Sequence, residues 1–354
     1  MKSRVRAVLS PACLIASALL PFQTQAQGSV TVYGVIDLNL ERSNHRNING
    51  GYGDLTQLKS DGLFGSRLGF RGSEDLGGGT KALFTLEAGL GPDSGTAGNA
   101  TRFFNRLSFV GLENDRLGRL TFGRQYTAQF DVLSRYFPLT RAPQYEPYAQ
   151  IESIYTDNSV KYTYLSGPVK LEGHYGFGES TQGRRGAANY SVGVAYEPTG
   201  WGVALSYDQT NTAYATTGDL GNYGYVRKLV AAARYTLGAA TFYAGIRDGR
   251  TVNPNAVLTT RDNIAYAGVE YQFTPTINAA IGYYQNNVHS TTAPSTGTPR
   301  SIAARATYAL SRRTDVYAVY GTARNAALNF NALSTLQPGT DDQTAFALGI
   351  RHLF

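Results

Sequence analysis

The side chains of this 354-residue chain that could do covalent chemistry are few and scattered. His45, His174, His289 and His352 are the four histidines; no two have metal-ligand spacing, and none has a serine and a carboxylate placed to complete a nucleophilic relay. The lone cysteine, Cys13, lies near the start, so the rest of the chain has no disulfide, thiol nucleophile or cysteine metal site. The glycine-rich run LGGGTK, Leu76 to Lys81, lacks the Gly-Lys-Ser/Thr order that cradles phosphate and reads as a hairpin turn. No cofactor is expected. What remains is charge. Arg67, Arg71, Arg102, Arg106 and Arg124 precede a stretch carrying Asp131, Glu146, Glu152 and Asp157. Fixed charges of opposite sign that face one another across a passage sort solutes by sign and size without any bond being made.

Such groups need a frame, and the frame is written as alternation. In VTVYGVIDLNL the residues Val30, Val32, Ile36, Leu38 and Leu40 share one face of an extended strand, while Thr31, Tyr33, Asp37 and Asn39 share the other. Ala82, Phe84, Leu86, Ala88 and Leu90 likewise oppose Lys81, Thr85 and Glu87. Trp201, Val203, Leu205 and Tyr207 oppose Gly202, Ala204, Ser206 and Asp208. One face suits lipid and the other water. The composition, with 40 Gly and 25 Tyr against one Met and one Trp, favours strands and tight turns over a helical core. A mean hydropathy of -0.25 is no objection, because only alternate residues of a transmembrane strand meet lipid.

Short polar turns fall near residues 72–81, 113–119, 164–169, 196–201, 235–240, 271–276 and 308–314. Longer segments fall between them, near 41–66, 90–102, 126–158, 177–189, 208–226, 248–263, 285–301 and 322–343. Together they join about sixteen antiparallel strands, with short turns on one rim and long loops on the other. Tyr164, Tyr196, Tyr235, Tyr271 and Tyr308 each precede a short turn on the apolar parity, as an interfacial aromatic girdle requires. The apolar face continues through Phe346, Leu348, Ile350 and Phe354. Lipid offers no water to an unpaired backbone, so the first strand must pair with the last. The expected fold is all-β, a closed transmembrane barrel whose lumen is too wide for its own side chains to fill. A soluble sandwich would have to bury every apolar face between two sheets, yet the opposite faces are small or charged throughout.

The first 26 residues read as an export signal. Lys2, Arg4 and Arg6 precede an apolar core around Leu14 to Leu20 and small residues near Ala26, while Pro11, Ser17 and Pro21 leave the stretch too short to span a bilayer. The expected domains are therefore 1–26, signal, and 27–354, barrel. Removing the three cations of the signal from the net +7 leaves about +4. With no Lys/Arg run and no nucleic-acid-binding motif, nucleic acid is excluded as a partner.

Parity sends Arg67 and Arg71 to the polar face, since Leu68 and Phe70 take the other; Arg102 and Arg106 follow. Strict alternation after Leu120 and Phe122 would put Arg124 in lipid, so a bulge or strand end is expected there. The aperiodic segment 126–158 is long enough to be functional, and folding it inward would set Asp131, Glu146, Glu152 and Asp157 against the arginines. A solvated outer loop with incidental acids is the other reading of the same residues. Inward cations, including Lys161, Lys170, Lys228, Arg234, Arg247 and Arg305, outnumber inward acids by about two to one, which favours anions mildly.

Four stretches in order, VTVYGVIDLNL, SRLGFRGSEDLGGGTKALFTLEAGL, NRLSFVGLENDRLGRLTFGRQYT and DNSVKYTY, resemble the general porins of beta-proteobacteria. The similarity spans the chain after residue 26 and is densest over residues 30–164. The resemblance implies sixteen strands, a homotrimer in the outer membrane, contact with its lipid and lipopolysaccharide, and passive passage of ions and small hydrophilic solutes. It also implies a third loop folded into each pore, faced by arginines that match Arg67, Arg71 and Arg124. Another arginine that the family commonly carries ahead of the NNSV-like motif is Tyr155 here. A plugged receptor or adhesin barrel and a solute-specific channel are the rival readings; conductance separates the first and a saturable site the second.

Overall fold

A computed structural model describes residues 28–181, 185–214, 223–290 and 297–354. The expected signal, residues 1–26, lies outside the described residues. The chain runs through β1 (Ser29–Ile48), β2 (Gly51–Ser60), β3 (Arg67–Gly77), β4 (Thr80–Gly91) and the two-residue β5 (Thr96–Ala97). β6 (Leu107–Asn114), β7 (Gly118–Tyr126), α1 (Ala128–Val132), α2 (Tyr148–Ile151), β8 (Tyr155–Ser166) and β9 (Val169–Gly176) follow. Next come β10 (Asn189–Tyr196), β11 (Trp201–Tyr214), β12 (Tyr223–Leu237), β13 (Ala240–Val252) and β14 (Leu258–Gln272). β15 (Ile277–Ser290), β16 (Arg300–Ala309), β17 (Thr314–Arg324) and β18 (Asp342–Leu353) complete the set.

These strands form one closed antiparallel sheet. β18 returns to β1 in register from Val35 opposite Leu353 to Ser43 opposite Ala345, and Phe354 exchanges two backbone hydrogen bonds with Gly34 at 3.1 and 3.2 Å. The barrel has sixteen strands: β5 is a fragment within a loop, and β2 and β3 are successive pieces of one strand, pairing with the far and near halves of β1. Short turns join β3 to β4, β6 to β7 and the later pairs where the sequence places them. In the first of these Gly77, Gly78 and Gly79 take φ of 84°, 62° and 76°, a left-handed run that only glycine adopts freely.

The sheet is inside-out relative to a soluble protein. Val30 and Ile246 leave 65% and 63% of their surface exposed on the outer face, while Asp37 and Glu41 on the inner face of β1 keep 0% and 2%. A large exposed apolar surface over a buried polar interior is what hydrocarbon outside and hydrogen-bonded groups inside require.

Four of the expected loops are shorter than alternation suggested. β1 runs on to Ile48 and returns as β2 through what reads as a 41–66 loop, so His45 sits on a strand, and β11, β13 and β15 extend to Tyr214, Val252 and Ser290. His289 is likewise a strand residue. Above the lipid belt both faces of a strand meet water, so apolar alternation fades while backbone pairing continues. Residues 61–66 are the true break. They fold into the lumen, where the buried Asp37 carboxylate accepts from the backbone N–H groups of Gly62, Leu63 and Phe64 at 3.2, 2.9 and 2.9 Å. Tyr317 on β17 donates to the same carboxylate.

Candidate functional site

Residues 127–154, between β7 and β8, turn into the barrel and pack on its inner wall. Local sequence starts the turn: Thr127 caps α1, accepting from Phe130 N–H at 3.0 Å. The wall then receives α1 through His174, whose Nδ1 accepts from Ala128 N–H at 3.1 Å, and through Ser191, whose Oγ accepts from Gln129 N–H at 3.1 Å. Beyond α1, Leu133, Tyr136, Phe137, Leu139, Tyr145 and Ile151 are fully or almost fully buried against Val230, Ile264, Tyr266, Tyr284 and Tyr317 of the wall. Burying several large side chains at about 1.5–3 kcal/mol each makes the inward position the favoured one. Close approach is built in at Gly268, where an added Cβ would stand 2.6 Å from Pro138 of the loop.

Polar contacts finish the docking. Tyr145 donates to Glu41 at 2.8 Å, tying the loop tip to β1, while Lys228 donates to the carbonyls of Ala149 and Glu152 at 3.2 and 2.8 Å. Arg247 donates to the carbonyl of Gln150 at 2.9 Å. The loop therefore covers the wall from Lys161 on β8, which pairs with Asp131, round to β1, and leaves the wall of β3 to β7 and the start of β8 facing it.

That open wall carries the arginines. Arg106 and Arg67 share one buried carboxylate, Glu87, at 2.6 and 3.5 Å. The pairing of β7 with β8 slips between Gly123 and Gln125, the bulge that strict alternation demanded, and it turns Arg124 inward. Arg124 pairs with Asp157, which Arg102 also reaches at 2.8 Å. Arg71 lies nearer the short-turn end, with its guanidinium 5.1 Å from the centre of the Tyr33 ring. Two cations per acid leave this wall net positive.

The four acids scatter. Asp131 pairs with Lys161 at 2.5 Å, and Asp157 belongs to the arginine wall itself. Glu146 and Glu152 are 0% exposed, behind the loop rather than on its pore face. Glu146 accepts from the N–H groups of Leu139 and Arg141 at 3.3 and 2.6 Å and from the Tyr284 hydroxyl; Glu152 holds Arg141 at 2.6 Å. Both serve as anchors. Of the loop's charges it is Arg141 that lines the cavity beside this wall, and most of the other inward cations are matched by acids, Arg305 with Glu270 and Arg247 with Asp262 among them.

Between loop and wall lies a cavity of about 540 Å³ lined by Asp61, Phe64, Arg67, Arg106, Tyr126, Phe130, Arg141, Tyr148 and Tyr155, among others. Sequence reasoning missed Arg141 and the rings. The density of Tyr, Phe, Leu and Ile between Tyr126 and Tyr155 was the available signal, since a solvated loop has no use for so much apolar surface.

Burial pushes Glu152 up to about 8 against the pull of Arg141, and it raises Glu146 as well against the hydrogen bonds it accepts. A carboxyl raised on docking stabilises the docked loop fully below its free value of 4.5, and that contribution is lost as pH rises through about 8. Amides of residues 128–152 are therefore expected to exchange hydrogen more slowly at about pH 5 than at about pH 9 after correction for intrinsic rates. Equal protection at the two pH values would count against this.

A family model described as Gram-negative porin matches residues 12–328. An outer membrane porin protein of Bordetella pertussis is 36% identical over 137 residues, covering 35% of this chain and 34% of that protein. Other curated relatives match over 53% of this chain and 56% of their own length, so the matches span about a third to about half of these relatives. Among solved structures, an anion-selective porin from Comamonas acidovorans superposes with a TM-score of 0.78 at 22% identity, over 93% of this chain and 100% of that one. The trimer form of OmpT from Vibrio cholerae gives 0.66 at 18% identity, over 92% and 99%.

Proposed function

Because the chain belongs to the Gram-negative porin family, we propose that it is a passive diffusion channel of the outer membrane, water-filled and mildly anion-preferring, for ions and small hydrophilic solutes. One observation carries this reading: the inward loop lies flat against one side of the barrel and leaves a cavity of about 540 Å³ opposite, rather than plugging the lumen. A wall on which Arg67 with Arg106 outnumber Glu87, and Arg102 with Arg124 outnumber Asp157, favours anions at that point. We assign Arg67, Arg71, Arg106 and Arg124 to the pore wall and Asp157 to the same wall as their counter-charge; Asp131 lines the vestibule below. Glu146 and Glu152 set the constriction by holding the loop.

The assembly is a homotrimer, a reading supported by the trimer form of a fold neighbour. Residues 1–26 act as the export signal of a barrel spanning 27–354, and outer-membrane lipid and lipopolysaccharide surround it. The test is swelling of liposomes reconstituted with the protein: uncharged sugars should enter at rates that fall smoothly with molecular size. Liposomes no more permeable than protein-free ones would point to a closed lumen and a receptor role.

A further inference from the structure

The eyelet contains an arrangement of rings that selection by charge does not need. Tyr126 stacks on Phe130 on one side and Tyr155 on the other, at 4.5 and 5.2 Å between centres and 18° and 22° between planes. The Arg141 guanidinium lies 3.7 Å over Phe130, and that of Arg124 lies 4.7 Å over Tyr155. Three rings are thus capped at both ends by cations, in a column that runs from the loop to the wall. Arg106 leans over Tyr155 at 5.9 Å and donates to the Tyr126 hydroxyl at 2.9 Å. Stacking fixes planar guanidiniums in place, which leaves them organised before any solute arrives.

The same cavity presents Arg67, Arg106 and Arg141 together with half-buried Phe64, Pro143, Tyr148 and Ile154; Asp61 also lines it, while Glu87 and Glu152 pair with the arginines from behind the lining. Asp61 is already engaged, accepting from Ser66 N–H at 2.6 Å. A hydrated inorganic anion would use the guanidiniums and leave the rings idle. A neutral sugar could use the rings but has no charge for the guanidiniums to hold. A planar aromatic acid uses both, with its carboxylate on the arginines and its ring on the apolar lining, and about 540 Å³ is within the range of small-molecule sites.

We propose that the constriction is a binding site for single-ring aromatic carboxylates, so that the channel takes these acids in preference to aliphatic anions of equal charge. The inference rests on the diffusion-channel reading above. Its test is the chloride current of the full chain in planar bilayers, titrated with benzoate, cyclohexanecarboxylate and acetate. Benzoate should half-block the current at a concentration roughly tenfold below acetate and severalfold below cyclohexanecarboxylate, the margin that aromatic contacts supply. In Tyr148→Leu the benzoate advantage should shrink toward that of cyclohexanecarboxylate while the open-channel current persists. An open channel on which benzoate acts no more strongly than acetate overturns the aromatic site and leaves the diffusion channel standing. A folded barrel with no current overturns both.

Discussion

Replacing Arg67 and Arg106 together by glutamine is expected to remove the anion preference of the channel. The two guanidiniums share Glu87, which is 3% exposed, so their removal leaves that carboxylate with only the Tyr33 hydroxyl, at 2.9 Å, among its recorded side-chain partners. With Arg102 and Arg124 still set against Glu87 and Asp157, the wall of the eyelet then changes from net positive to neutral. A unit charge about 8 Å from a passing ion is worth about 2 kcal/mol at an effective dielectric near 20 before screening. Losing two such charges, even weakened by salt, moves the anion-to-cation permeability ratio by roughly tenfold. The reversal potential across a salt gradient, which should shift toward the cation side, reads this directly. Because an unpaired buried carboxylate is costly, heat resistance of the folded barrel in the same preparation must be checked alongside. If the variant is folded and the reversal potential is unchanged, the selectivity does not come from this wall.

The other large effect belongs to Glu146. It is wholly buried and gathers Leu139 N–H, Arg141 N–H and the Tyr284 hydroxyl at one point where the loop meets β15. Glu146→Ala leaves all three donors without that acceptor, and a buried donor without a partner costs about 1–3 kcal/mol. The sum is about 3 kcal/mol or more, enough to release this part of the loop from the wall for much of the time. Released, it no longer holds the constriction at one width. Single-channel records should show a noisy current with a changed mean conductance, whereas Tyr284→Phe, which removes one donor cleanly, costs about 1 kcal/mol and should keep the current quiet. A quiet Glu146→Ala channel of unaltered conductance would mean that the apolar contacts alone hold the loop.

The contrast between these two sites follows how much of each was legible in the chain. Arg67, Arg71, Arg106 and Arg124 lie on or beside strands, where alternation fixes the face a residue occupies. Even the exception at Arg124 could be anticipated, because a guanidinium in hydrocarbon is too costly to accept. Glu146 and Glu152 lie in an aperiodic segment, where composition says only that acids are present. Their positions depend on where Tyr136, Phe137 and Tyr145 find cavities in a wall made by residues more than a hundred positions later, such as Tyr266 and Tyr284. Arg141 stayed hidden for the same reason. The inward step at residues 61–66 was invisible because its determinant, Asp37, looked like any polar residue of a lumen-facing strand.

Tyr155 shows what a departure from a family pattern can mean. Where the family resemblance implies an arginine, this chain carries a ring that lies beneath two arginines, Arg106 and Arg124. The positive charge is not so much lost as held by neighbours on an aromatic support.

On the reading proposed above, the arginine wall and the inward loop form one open, anion-favouring constriction. Single-channel recording of the full chain in planar bilayers, with a salt gradient applied in the same session, tests it most directly. Stable openings in steps of three and a reversal potential on the anion side are expected. Folded barrels that carry no current, or that reverse on the cation side, would contradict it.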